Sequence, residues 1–144
     1  MAFLDDIQKA KVELENNKER AFAAILDYFQ EQFESPEFEE ALKKVIINAM
    51  KYNYDHATVV VEYWHSYGNS IRFTVTCCKD WEINTNKEHL FKGIDVDSYR
   101  EEIILMIVRA LSKKLRTLGL QFAVANKTRD NYHSLPKYAY EIEL

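Results

Sequence analysis

Glycine, proline and cysteine are scarce in this chain of 144 residues, which holds three, two and two of them. So few glycines leave no glycine-rich phosphate loop and no dinucleotide-binding fingerprint. The cysteines, Cys77 and Cys78, are neighbours, and a disulfide between them would be strained, so we expect free thiols and a reducing compartment. Basic residues are not in excess either, and the net charge of -4 argues against a protein that binds mainly by covering phosphates.

Long apolar runs are also missing from the sequence. No stretch is long enough to span a bilayer, and the first residues lack the basic start and apolar run of a signal peptide. We therefore expect a cytoplasmic protein without a membrane partner. The content of 47% hydrophobic and 29% charged residues is typical of globular proteins, and the length predicts a single domain over residues 1–144.

The N-terminal third of the chain is predicted to form two helices. Apolar residues recur every three or four positions from Phe3 to Phe33, around a wholly polar middle. This pattern leaves two interpretations open, one long helix or a mobile N-terminal helix over residues 1–20 that precedes a shorter one. Ser35-Pro36 predicts the start of the second helix, because Ser caps free N–H groups and Pro suits the first helical position.

A third helix is predicted between two capping signals. Ser98 and Glu101 have the spacing of a capping box, which predicts the N-terminal end of the helix. Gly119 predicts its C-terminal end, with Leu120 placed to contact Leu115 as in a Schellman motif.

Four segments have the composition or alternation of β-strands, two before the third helix and two after it. Residues 57–64 are apolar on both faces, which indicates a central strand or one that is covered on both sides. Residues 71–78 alternate clearly and follow a turn signal at Gly68-Asn69. Residues 122–124 and 137–144 complete the set, whereas residues 79–94 are predicted to be irregular. The predicted fold is thus α+β: an N-terminal two-helix segment followed by ββαββ, a four-stranded, mainly antiparallel sheet with helices packed on one face.

Catalytic chemistry has weak support in the sequence. Either cysteine with His65 supplies the residue types of a nucleophile and its base, but Cys77 continues a core stripe and no family motif surrounds it. A small enzyme that uses Cys78, His65 or His133 is therefore our third hypothesis. The four histidines lack the spacing of a metal site, and we expect no metal and no cofactor.

Strand aromatics and a local basic segment support a second hypothesis, the binding of single-stranded RNA or DNA. Bases stack on exposed aromatic side chains, and the end of the third helix carries Lys113, Lys114 and Arg116. The expected combination of aromatic and basic residues on one strand is absent, so nucleic acid is not favoured.

The first hypothesis is a non-enzymatic protein-binding module. If the helices cover one face of the sheet, the opposite face is flat, partly apolar and carries Trp64, and large aromatic anchors dominate interface energies. Alternatively, the N-terminal helix covers that face and Trp64 belongs to the core. The residues expected to contact a partner are Val60, Trp64, Arg72, Thr74, Trp81, Phe91 and Glu141.

In size, acidity and lack of catalytic motifs, the chain is similar to the small accessory proteins of phages and other mobile elements. Many of those proteins, anti-defence proteins among them, bind and block a host protein, which implies a host or cognate protein as the partner. We also expect a homodimer through the C-terminal strand if that strand lies at a sheet edge. Its charged residues Lys137, Glu141 and Glu143 would instead prevent such pairing if they guard the edge.

Overall fold

The computed structural model describes residues 2–66, 70–85, 89–128 and 135–144. These residues form three α-helices and five β-strands. Two short 3-10 turns, His89–Phe91 and Val96–Tyr99, precede the third helix. The helices are α1 (Ala2–Glu34), α2 (Pro36–Lys51) and α3 (Arg100–Thr117), and the strands are β1 (His56–Ser66), β2 (Ser70–Thr76), β3 (Asp80–Asn84), β4 (Phe122–Asn126) and β5 (Lys137–Glu143).

Helix α1 is continuous from Ala2 to Glu34, which decides between the two interpretations of the N-terminal region in favour of one long helix. Its buried side chains begin only at Ala21 and continue through Ile25 and Phe29 to Phe33. The residues before Asn17 are exposed, including an apolar stripe that starts at Phe3, of which 73% is exposed. The helix therefore packs through its second half and projects its first half beyond the rest of the described chain.

The capping predictions have different outcomes at the two later helices. The Oγ of Ser35 accepts a hydrogen bond from the N–H of Phe38 at 3.2 Å, which confirms the predicted start of α2. The predicted capping box of α3 is wrong, because residues 96–99 form a 3-10 turn in which the Ser98 hydroxyl donates to Asp95 Oδ2 at 2.7 Å. The Schellman end is confirmed: Gly119 has a φ of 79° and the N–H of Leu120 donates to the carbonyl of Leu115 at 3.1 Å.

The sheet has the strand order β3-β2-β1-β5-β4, and each neighbouring pair is antiparallel. The antiparallel α+β class is thus confirmed, but the four-stranded ββαββ layout is wrong, since β3 adds a fifth strand inside the stretch predicted to be irregular. β3 is only five residues long, and just two of its side chains, Trp81 and Ile83, point toward the helices. β1 lies at the centre of the sheet, as one of the two interpretations of its apolar composition predicts. The turn signal at Gly68-Asn69 lies outside the described residues.

The C-terminal strand does not lie at an edge of the sheet. β5 pairs with β1 on one side and with β4 on the other, so its backbone groups are used in two ladders. The homodimer was expected on the condition that this strand lies at an edge, and that condition is not met. The charged side chains of β5 therefore do not protect an edge. The two edges of the described sheet are β3 and β4.

The hydrophobic core fills the space between one sheet face, here called the inner face, and the helices. Phe73, Val75, Tyr140 and Ile142 point to this side and are buried. α3 adds a continuous buried stripe, and the hydroxyl of Tyr140 donates to the carbonyl of Val108 at 2.6 Å. All three helices contact each other or the inner face, and none of the described helices lies over the opposite face.

Candidate docking face

The face of the sheet that points away from the helices, here called the outer face, follows directly from the strand alternation. Residues of β1 at odd positions from Ala57 to Tyr63 are buried, so the even positions point outward. The antiparallel registers extend this assignment to the other strands. The outer face consists of His56, Thr58, Val60, Glu62, Trp64, Ser70, Arg72, Thr74, Thr76, Asp80, Glu82, Asn84, Ala123, Ala125, Lys137, Ala139, Glu141 and Glu143.

A row of small side chains makes the middle of this face flat. Val60 pairs with Thr76 of β2 on one side and with Ala139 of β5 on the other, and Ala139 in turn pairs with Ala125 of β4. Directly opposed residues on one face contact each other across the strands. The row therefore forms a shallow apolar band that crosses four strands.

Trp64 stands beside this band near the end of β1. Its side chain is 41% exposed, which excludes the alternative that it belongs to the core. The indole Nε1 donates to Thr74 Oγ1 at 3.0 Å, and the guanidinium of Arg72 lies 5.8 Å from the ring centroid. Arg72 is itself oriented by Glu82, whose Oε2 lies 3.4 Å from its Nη1. The indole is thus held across β2 in a defined position, which lowers the entropy that a partner must remove on binding.

The charge of the outer face is mainly negative. Arg72 and Lys137 are its two permanently charged cations, and His56 lies 3.7 Å from Glu141. Five carboxylates surround them: Glu62, Asp80, Glu82, Glu141 and Glu143. A surface of this composition attracts cationic groups and repels the phosphates of nucleic acids.

Two of the residues predicted to contact a partner lie elsewhere. Trp81 occupies an inward position of β3, where its ring packs edge-on against Phe38 with centroids 5.2 Å apart. Phe91 is likewise buried, in the 3-10 turn His89–Phe91. The structure therefore brings together Val60, Trp64, Arg72, Thr74 and Glu141 on one face and places Trp81 and Phe91 in the core.

Among the described residues, Cys78 and His65 lie too far apart to act as a nucleophile and its base. His65 is opposite Ile71, whereas Cys78 lies in the β2–β3 turn beyond Thr76, in the left-handed region with a φ of 62°. At the rise of a β-strand this separation is roughly 20 Å. Cys77 is buried, and burial raises the pKa of its thiol to about 12, which opposes thiolate formation. His133 lies outside the described residues.

A polar cluster on the inner face, near the C-terminal end of β1, was not predicted from the sequence. The hydroxyl of Tyr63 donates to Asp97 Oδ1, and Arg100 Nη1 lies 3.3 Å from the same oxygen. The Nδ1 of His65 lies 3.7 Å from it. Burial, followed by the bond to Asp97, raises the pKa of Tyr63 above its ordinary value. Since Tyr63 and Asp97 are 34 positions apart, no local pattern could reveal the contact. The cluster joins the turn before α3 to the central strand.

The basic end of α3 lies on the helix side of the sheet and is not part of the outer face. Lys114 Nζ donates to Glu39 Oε1 of α2 at 2.9 Å, and the guanidinium of Arg116 lies 5.4 Å from the ring centroid of Phe122. Lys113, Lys114 and Arg116 therefore do not form one continuous surface with Trp64, the aromatic side chain of the outer face.

In the part of the chain that the structure describes, no group of three or more His, Cys, Asp or Glu side chains is arranged to hold a metal ion. None of the described helices combines the length and apolar character that crossing a membrane requires. Comparisons with protein-family models, curated proteins and solved structures gave no match.

Proposed function

We propose that the chain is a non-enzymatic protein-binding module that docks through its outer face. The observation that carries the proposal is the exposed and hydrogen-bonded Trp64 on a sheet face that no described helix covers. Tryptophan is the residue most enriched among interface hot spots, and the flat band beside it offers apolar contact area. The surrounding carboxylates favour a partner surface that carries Lys and Arg around an apolar centre.

An inhibitor or accessory role fits these properties. A small acidic domain with one protein-binding face can occupy the binding surface of another protein without any catalytic activity. Phage and mobile-element proteins that block host proteins act in this way. The partner is then a cytoplasmic protein of a bacterial host. The two free cysteines are consistent with that reducing compartment.

Single-stranded nucleic acid remains the alternative, but the charge of the outer face does not favour it. Fluorescence anisotropy with labelled single-stranded RNA and DNA at low salt tests it directly. Binding that weakens steeply as salt rises would support the alternative.

The main experiment uses a matched pair of variants. Trp64→Ala removes the proposed anchor, and Tyr52→Ala removes another exposed aromatic side chain, at the end of α2. A protein captured from a bacterial lysate is purified and titrated against the wild type and both variants. We expect Trp64→Ala to weaken binding by about 30-fold, or 2 kcal/mol, and to lower the melting temperature by only a few degrees through loss of the bond to Thr74. Tyr52→Ala should bind as the wild type does.

Two outcomes would contradict the proposal. Unchanged affinity of Trp64→Ala would show that the partner docks elsewhere. Turnover of a substrate by the purified chain, in the absence of a captured protein, would favour the enzyme hypothesis.

A further inference from the structure

Strand β4 forms one edge of the sheet, and its composition does not protect that edge. Among the described residues it pairs with β5 alone. Its sequence, Phe122–Asn126, holds no charged residue and no proline, whereas the opposite edge strand, β3, carries Asp80 and Glu82. Proteins usually protect edge strands with charges or proline, because unpaired backbone groups recruit other strands.

The direction of the unpaired backbone groups of β4 follows from two hydrogen bonds. The N–H of Glu143 donates to the carbonyl of Gln121 at 2.9 Å, and the N–H of Lys127 donates to the carbonyl of Lys137 at 2.7 Å. Hydrogen-bonded pairs alternate along an antiparallel ladder, so the odd residues of β4 bond to β5. The residues that direct their N–H and C=O groups away from β5 are Phe122, Val124 and Asn126.

We propose that this edge binds the β4 edge of a second copy of the chain, in antiparallel orientation about Val124. The three outward-bonding residues are symmetric about Val124, so each outward group meets an outward group of the other copy. Val124 then faces its own counterpart, and Phe122 faces Asn126 of the second copy. About six backbone hydrogen bonds form across the two copies.

The side chains at this junction are compatible with such pairing. Ala123 faces Ala125 of the second copy on the outer face, where both are too small to clash. On the inner side, Val124 is 37% exposed, so apolar area is available at the edge. No like charges oppose each other within the strand. A junction of one short strand buries less area than a stable dimer usually does, so we expect a dimer that dissociates on dilution.

The pairing would place the docking faces of the two copies side by side. A two-fold axis through Val124, perpendicular to the sheet, leaves the outer faces of both copies on the same side of a ten-stranded sheet. The two Trp64 anchors would then engage a dimeric or repetitive partner together, with a gain from effective concentration. This consequence rests on the proposed function, but the dimer itself does not.

Charge substitutions at the two-fold axis test the proposal. Sedimentation velocity from micromolar to millimolar concentration should show a reversible dimer of the wild type. Val124→Lys and Val124→Glu should each remain monomeric, since two like charges then face each other, and an equimolar mixture of the two variants should form the dimer again. Val124→Thr, which keeps a β-branched side chain, should dimerise as the wild type does. Unchanged circular dichroism and melting temperatures confirm that the variants are folded.

Several outcomes would overturn the dimer. One is a wild type that stays monomeric at millimolar concentration, and another is self-association that persists in Val124→Lys. Association that Ile7→Glu abolishes and Val124→Lys leaves intact would assign it to the exposed stripe of α1. Trp64→Ala should leave dimerisation unchanged, so a failure of the dimer and a failure of the docking face are distinguishable.

Discussion

The indole Nε1 of Trp64 donates a hydrogen bond to the Oγ1 of Thr74 across the β1–β2 ladder, at 3.0 Å. Thr74 lies two residues beyond Arg72, the direct register partner of Trp64, so the ring lies diagonally over β2. Although Thr74 points to the outer face, it is only 6% exposed. The indole therefore covers its hydrogen-bond partner, and the two residues form one rigid feature of the docking face.

Thr74→Val should loosen this feature without disrupting the sheet. Valine keeps the shape of the side chain and removes the acceptor, so we expect faster hydrogen exchange of the Trp64 indole N–H and a loss of about 1 kcal/mol in the free energy of unfolding. NMR of the two indole signals measures the exchange. Thr76→Val, at an exposed position of the same face and strand, is the control. Equal exchange rates in Thr74→Val and the wild type would contradict the bond.

The two tryptophans should differ in what their removal costs. Trp81→Ala empties a core position and should lower the free energy of unfolding by about 3–5 kcal/mol. Trp64→Ala should cost much less, because Trp64 is 41% exposed. Urea denaturation of both variants measures the difference. A loss of stability in Trp64→Ala as large as that in Trp81→Ala would assign Trp64 to the core.

The sequence predicts those features that depend on neighbours in the chain. The Ser35 cap, the Schellman end at Gly119 and the alternation of β2 each arise within a few residues, where spacing reports structure directly. Strand β3 was missed because five residues with two inward side chains carry too little pattern. Because β3 was not predicted, the burial of Trp81 was not predicted either, although alternation along β3 would have indicated it.

The remaining features depend on contacts between distant segments. Which strand lies at an edge is decided by strand order, so the sequence left open whether β5 is an edge strand, and the structure gives that position to β4. The contact of Tyr63 with Asp97 joins segments 34 positions apart. The openness of the outer face depends on where α1 packs, and its stripe of apolar residues alone does not show that only its second half is covered.

Two phenylalanines of α1 provide a matched test of that division. Phe29 is fully buried, and Phe29→Ala should lower the free energy of unfolding by about 3–5 kcal/mol. Phe3 projects with the exposed half of the same helix, and Phe3→Ala should leave stability within about 0.5 kcal/mol of the wild type. Thermal unfolding of both variants checks the prediction. A large loss in Phe3→Ala would show that the first half of α1 is covered.

Alkaline pH should destabilise the fold through buried groups that lose a proton less readily than in the unfolded chain. Burial raises the pKa of Tyr140 from 10.0 to about 12 and that of Cys77 from 9.0 to about 12, and it also raises the pKa of Tyr63. Below about pH 8 both the folded and the unfolded state keep nearly all of these protons, so the stability is fully present. As the pH rises toward 12, the unfolded state releases its protons first, and the free energy of unfolding falls.

Urea denaturation at a series of pH values between about 8 and 11 measures this decline. Tyr140→Phe and Cys77→Ala each remove one of the titrating groups, so each should reduce the slope. Tyr140→Phe should also cost about 1 kcal/mol at neutral pH, because the hydroxyl bonds to Val108 and Ser112 are lost. Tyr54→Phe, at an exposed position, is the control for the substitution of a tyrosine by phenylalanine. A stability that stays constant up to pH 11 in the wild type would show that these groups are accessible to solvent in the folded protein.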